Sequence, residues 1–215
     1  MTNAFIVTII VIVVAIFIGS IIYFLKISTS KKLVSYLYTK NLKEFEKTLD
    51  SFSTKLLFSK KARLWWRLHE AFLKQDKKDI TKYFEELDNT RLSYTKRCEL
   101  YMQAFQYFIS QKDKYNSKKY LEKIQETKND RFIEETQIVY DVYIDKSFSH
   151  LDKFLSNLEE KPQEYRGIDE LLIAEMYKNM GDMPSYNKYY SLAKQHISEL
   201  DKKIANSEVV KNKRK

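Results

Sequence analysis

The side chains here with chemistry to offer are three histidines, one cysteine and a scatter of adjacent acids. His69, His150 and His196 are well separated, and no two have the four-residue spacing that sets two imidazoles on one helical face for zinc. His69-Glu70 is only the first step of that pattern, so all three read as surface or boundary histidines. Cys98 follows Lys96 and Arg97, which would favour its thiolate, but neither a histidine nor a resolving cysteine accompanies it. A small side chain on a helix is the simpler reading. The acid pairs Glu85-Glu86, Glu134-Glu135 and Glu159-Glu160 are chain neighbours about 100° apart around a helix, so their carboxylates diverge into solvent. Of three glycines, one lies in the apolar N-terminal run, leaving no glycine-rich loop to cradle phosphate. No G-x-S-x-G or triad-like pattern occurs. These residues point away from an enzyme and imply no cofactor and no metal.

The elements carrying these residues are helices. Residues 4–25 read AFIVTIIVIVVAIFIGSIIYFL, without a charge or a proline. As a helix the run spans roughly 33 Å, the thickness of a bilayer's hydrocarbon core. Its β-branched content would suit a strand in water, but a lone segment in lipid satisfies its backbone only as a helix. A cleaved signal peptide would need a basic start and a shorter apolar core, and Met1, Thr2 and Asn3 carry no base. The expectation is a transmembrane helix over 4–25, with the bilayer as a partner, and a basic juxtamembrane linker over 26–32. Lys26, Lys31, Lys32, Lys40 and Lys43 follow the run and none precedes it. The positive-inside rule therefore places the N-terminus outside the cell membrane and the rest in the cytoplasm. A single cysteine agrees with a reducing compartment.

Beyond the apolar run there are two glycines and two prolines, too few for the corners of a strand architecture. Apolar residues recur three and four apart, as in Leu64, Trp65, Leu68, Ala71 and Phe72, so the expected class is all-α. Short polar stretches at 39–41, 74–79, 110–116, 145–147 and 179–184 read as turns. After each comes a second-helix stripe: Phe45, Leu49, Phe52; Ile80, Phe84, Leu87; Ser117, Leu121, Ile124; Leu151, Leu155, Leu158; and Tyr186, Tyr190, Ala193. The middle members are separated by 35, 37, 34 and 35 residues, the period of a helical-hairpin repeat. About five hairpins are expected over 33–200, stacked as an α-solenoid, with a basic tail over 201–215.

On this spacing the chain resembles a degenerate tetratricopeptide-repeat protein. Residues 168–193 match best: Ile173 and Ala174 at the paired Leu-Gly position, Tyr177 as first-helix aromatic, Gly181 at the turn, Tyr190 as second-helix aromatic and Ala193 as the small closing residue. Tyr186 departs from the family's Ala. Leu37, Phe72, Phe108 and Tyr143 take the place of Tyr177 in the other units. No unit has the terminal proline, which Pro162 misses by one position.

The resemblance implies a concave wall that receives a peptide segment. Aligned on the first-helix aromatic, that wall would carry Arg63, Trp66, Glu70, Lys74, Met102, Gln106, Asp141, Asp145, Glu175 and Lys178. Trp66 beside charges would suit a partner's anchor; alternatively it packs on a neighbouring hairpin. The function expected is a membrane-anchored cytoplasmic interaction module or scaffold with a protein or peptide partner. The pI of about 9.3 suggests a membrane-associated nucleic-acid-binding protein as the alternative, against which the charges alternate in sign and no nucleic-acid motif occurs. An enzyme of unknown class comes third.

Overall fold

The computed structural model describes residues 2–212, and the side chains at 2–11, 131 and 206–212 fall outside that description. Lys213, Arg214 and Lys215 of the expected basic tail lie outside the described residues. Among the described residues the chain is helical and without strands. The helices are α1 (Thr2–Tyr38), α2 (Leu42–Asp50), α3 (Phe52–Leu57), α4 (Lys60–Lys74), α5 (Lys77–Asp88), α6 (Tyr94–Ser110), α7 (Lys114–Gln125), α8 (Asp130–Tyr143), α9 (Leu151–Glu160), α10 (Gly167–Met180) and α11 (Met183–Asn212). A 3-10 turn covers Gln163–Tyr165. By internal contacts the chain divides into two compact units, Met1–Leu100 and Tyr101–Lys215.

The N-terminal helix is long and apolar enough to cross a membrane, and its described apolar side chains from Ile12 to Leu25 are exposed. Residues 26–32 are part of α1, with no break between the apolar run and Leu33. No glycine or proline interrupts this stretch, and burial of Leu33 gives the helix a reason to continue.

Local turn chemistry places the hairpins. Lys40, Gln75, Lys112 and Gly181 take left-handed backbone, with φ of 54°, 55°, 54° and 85°. Each is followed by an Asn or Asp that caps the next helix. The side chains of Asn41, Asp76, Asp113 and Asp182 accept the N–H of Glu44, Asp79, Asn116 and Ser185 at 3.0–3.4 Å. The cap N–H in turn closes the preceding helix, Asn41 to Tyr36 O at 2.8 Å, Asp76 to Ala71 O at 3.1 Å, Asp113 to Phe108 O at 3.0 Å and Asp182 to Tyr177 O at 2.9 Å. Two orphan ends are thus satisfied within two residues. The turn after α8 has a left-handed Lys146 at the same period but is longer. There Asn179 Nδ2 of α10 donates to Val142 O at 2.8 Å and Ser147 O at 3.2 Å.

In the first unit, Leu33, Phe45 and Leu49 are fully buried together, with Tyr36, Leu37 and Trp66 packed against them. Leu64, Leu68 and Ala71 of α4 and Ile80, Phe84 and Leu87 of α5 are also buried, and Phe72 meets Phe84 edge-on at 5.9 Å. Phe52, expected in the second-helix stripe, is exposed. Ser51 ends α2 and starts α3, accepting the Thr54 N–H at 3.2 Å, and this break turns Phe52 outward. In the second unit, Phe108 stacks on Tyr120 at 5.7 Å, joining α6 to α7. Ile138, Val142, Leu151, Leu158, Leu172, Ile173 and Met176 bury α8, α9 and α10 against one another. The partner of Tyr177 is Tyr189, stacked at 5.5 Å, where the sequence pattern pointed to Tyr190. Tyr190 is half-buried, stacks on Tyr186 at 5.4 Å and carries Lys194 Nζ 4.6 Å above its ring.

Candidate functional site

The ten residues expected on a partner-facing wall fall in different surroundings. Four lie on α4, whose start is capped by Ser59 accepting the Ala62 N–H at 3.2 Å. Trp66 is half-buried, edge-on to Phe45 at 6.3 Å and to His69 at 6.5 Å. Glu70 is buried, with 3% of its side chain accessible, and sits between two cations. Arg67 Nη1 donates to its Oε2 at 2.8 Å, and Lys74 Nζ approaches its Oε1 at 2.9 Å. The same cations reach α2: Lys74 donates to Glu46 Oε1 at 2.6 Å, and Arg67 pairs with Asp50. The hydrogen bond to Glu46, followed by that to Glu70, pushes the Lys74 ammonium up to about 12. The Lys74 hydrogen bond in return holds the Glu46 carboxyl below its ordinary range. Trp66, Glu70 and Lys74 therefore join α4 to α2. Arg63 is half-buried, its Nε enclosed and without a hydrogen-bond partner.

In the second unit, the side chain of Asp141 accepts from Gln137 Nε2 at 2.7 Å and meets His150 Nε2 at 3.2 Å. Exposed Asp145 accepts from Lys114 Nζ at 2.9 Å. Glu175 receives Lys178 Nζ at 3.1 Å on both oxygens and has Lys146 at 3.7 Å. Lys178 Nζ also lies 5.6 Å above the Tyr186 ring. These four residues take part in intramolecular pairs.

Met102 and Gln106 differ from the rest. Both line a hollow of about 360 Å³ in the second unit, walled by α6, α8, α9 and α10. Its apolar surface comes from Phe105, Ile138, Val139, Phe154, Ile168 and Leu172. Thr136 adds no free hydroxyl, because its Oγ1 donates to Phe132 O at 2.6 Å. Glu135 and Asp169 stand at the lining, and Lys161 pairs with Asp169. A space of this size with apolar walls and few polar groups suits one large apolar side chain or a small ligand. Sequence reasoning missed Phe154, Ile168 and Asp169. The available signal was Ile168, an apolar residue off the buried stripe of α10 and 63% exposed.

His196 is a second departure from sequence expectation. It is buried rather than at the surface, because α11 packs along α10 and turns position 196 inward. Its Nδ1 lies 2.7 Å from Glu170 Oε2, also buried, and its Nε2 lies 3.1 Å from Gln163 Nε2. With the Gln163 amide nitrogen donating to Nε2, the ring hydrogen sits on Nδ1 and is donated to Glu170. Burial raises the Tyr143 phenol to about 12. Among the described residues no group of three or more His, Cys, Asp or Glu is placed to hold a metal ion. No protein-family model, curated protein or solved structure matches the chain.

Proposed function

We propose that this chain is a membrane-anchored interaction module. In this reading α1 inserts in the cell membrane with its N-terminus outside. The remaining helices form a tetratricopeptide-like solenoid in the cytoplasm that binds a protein partner. Two observations support the repeat. Among the described residues, five of the six left-handed positions, at 40, 75, 112, 146 and 181, are separated by 35, 37, 34 and 35 residues, the sixth being Lys128 between α7 and α8. Four of these five turns share one capping pattern. The hollow lined by Met102 and Gln106 carries the binding reading. An apolar side chain of the partner fills it.

The test is partner capture from detergent-solubilised membranes, comparing the wild type with Met102→Arg and Ile168→Glu. Both positions are accessible to solvent, so helicity by circular dichroism should be unchanged. Captured partner should fall at least tenfold in each variant. Full capture by two correctly folded variants would overturn the assignment of the hollow. Protease added to intact cells tests orientation independently: residues 30–215 should survive, and their digestion would reverse it.

A further inference from the structure

Among the described residues, the face of α1 that turns away from the fold has no partner. Leu33, Tyr36 and Leu37 dock this helix on the first unit. Roughly 150° around the helix from that docked face lie Ser20, Phe24, Ile27, Lys31, Val34 and Tyr38. Their spacings alternate between four and three, and the alternation extends back through Phe17 to Val13. That is the seam of a coiled coil, with Phe24, Lys31 and Tyr38 at one core position and Ser20, Ile27 and Val34 at the other. Val34 is 55% exposed and Tyr38 is 90% exposed. A groove of about 580 Å³ runs along this face past Ile27, Val34 and Tyr38.

Lipid does not reach the outer part of this face. If the hydrocarbon ends near residue 25, Val34 stands roughly 14 Å and Tyr38 roughly 20 Å beyond it along the helix. The headgroup layer is only about 5–8 Å deep on each side. Lipid therefore leaves Val34 and Tyr38 uncovered. We propose that the occupant is a second copy of this chain, forming a parallel two-stranded coil along α1 across the bilayer surface.

Three features select a copy of the chain itself. Insertion in one membrane holds two α1 helices parallel and confined to a plane, so equal positions meet in register about a two-fold axis. Lys31 is the one charged residue in the seam from Val13 to Tyr38, and a single lysine at such a core position specifies register and a low oligomer number at some cost in stability. The flanking positions 28, 30 and 35 are serines, so no like charges oppose each other beside the seam. Inside the bilayer, Ser20 satisfies its own hydroxyl by donating to Ile16 O at 2.9 Å, and its small size permits close helix approach.

The proposal rests on the membrane reading, and one experiment separates the two. Full-length protein carrying Cys98→Ser receives single cysteines at Ile27, Val34 or Tyr38, and at Thr29 or Lys32 off the seam. Membranes are oxidised with copper phenanthroline, and part of each sample is washed with carbonate. Disulfide-linked dimer at positions 27, 34 and 38, at least fivefold above that at 29 and 32, is the expected result. Equal linkage at all five positions would show random collision and overturn the proposal. No linkage in carbonate-resistant membranes would overturn it while leaving the anchor intact, whether positions 34 and 38 react with a water-soluble maleimide or are shielded by another protein. Chain released into the carbonate supernatant would instead remove the anchor itself. In mild detergent, Val34→Glu with Tyr38→Glu should halve the protein mass within the protein–detergent particle at unchanged helicity; an unchanged protein mass would overturn the seam.

Discussion

The corner where α2 meets α4 and the packing of α8, α9 and α10 bury their helix faces by different means. At the α2–α4 corner a small apolar group of Leu33, Phe45 and Leu49 is bordered by a ladder of five charges, Glu46, Lys74, Glu70, Arg67 and Asp50. In the second unit, seven buried apolar residues on α8, α9 and α10 form the contact, the charges of Lys153 and Glu134 stay at the surface, and the buried Glu170 of α10 faces away from this contact toward His196 of α11. Apolar burial is non-directional and insensitive to salt, whereas a ladder around a buried carboxylate depends on geometry and on protonation. The two regions therefore answer differently to substitution, salt and pH. Both tryptophans, Trp65 and Trp66, belong to the first unit, so indole emission reports that unit while circular dichroism reports all the helices.

The largest effect is expected from Ile173→Ala. This side chain is fully buried between neighbouring helices, and its truncation should cost about 2–5 kcal/mol. The loss, measured by urea unfolding of the detergent-solubilised chain, should be the same at low and high salt. Glu70→Ala should cost less, about 1.5–3 kcal/mol, because hydrogen bonds to a charged group are lost while Arg67 and Lys74 keep Asp50 and Glu46. The change should show in indole emission and shrink in high salt. A salt-independent loss for Glu70→Ala as large as that of Ile173→Ala would erase the distinction between the two regions.

The hairpin turns allow a finer comparison, since Gln75 and Gly181 occupy the same left-handed position in the two units. A side chain there costs about 1–2 kcal/mol, offset in part by the greater freedom glycine loses on folding. Gln75→Gly should therefore raise stability, and Gly181→Ala should lower it, each by roughly 0.5–1 kcal/mol. Thermal midpoints moving in the same direction for both would show that the turns are not equivalent.

The smallest effect is in pH. Glu46 is depressed from its ordinary 4.5 by Lys74, so its contribution is present above that value and is lost as the pH falls below it. Lys74 is raised from 10.5 to about 12, so its contribution is complete below 10.5 and is lost as the pH climbs toward 12. Between about pH 6.5 and 10 the emission-detected urea midpoint should be flat. Below 6.5 it should begin to fall because burial depresses the His69 imidazole beside Trp66, and Lys74→Met should remove only the part of the acid-side slope below 4.5 that belongs to its pair with Glu46. An unchanged slope in that variant would place the acid sensitivity elsewhere.

Turn positions are legible in the sequence because their chemistry is local. A residue able to turn left-handed, followed by Asn or Asp, closes one helix and opens the next whatever surrounds it. The apolar helix is legible for a similar reason, since length and the absence of charge suffice. Burial is not legible wherever it depends on how far a neighbouring helix is rotated. Leu151, Leu155 and Leu158 follow the expected stripe, but on α11 the rotation selects Tyr189 over Tyr190 and turns His196 inward. On α4, Glu70 sits at a position that sequence alone assigns to a solvated wall. It is buried because α2 brings Glu46 and Asp50 close enough for Lys74 and Arg67 to bridge, which no spacing within α4 encodes. The hollow beside Met102 likewise exists only where α6, α8, α9 and α10 leave a gap. Sequence thus determined where each hairpin turns and which helix is apolar throughout, because those properties reside in consecutive residues. Tertiary structure alone decided which faces are spent on packing and which stay open, because that depends on distances between residues far apart in the chain.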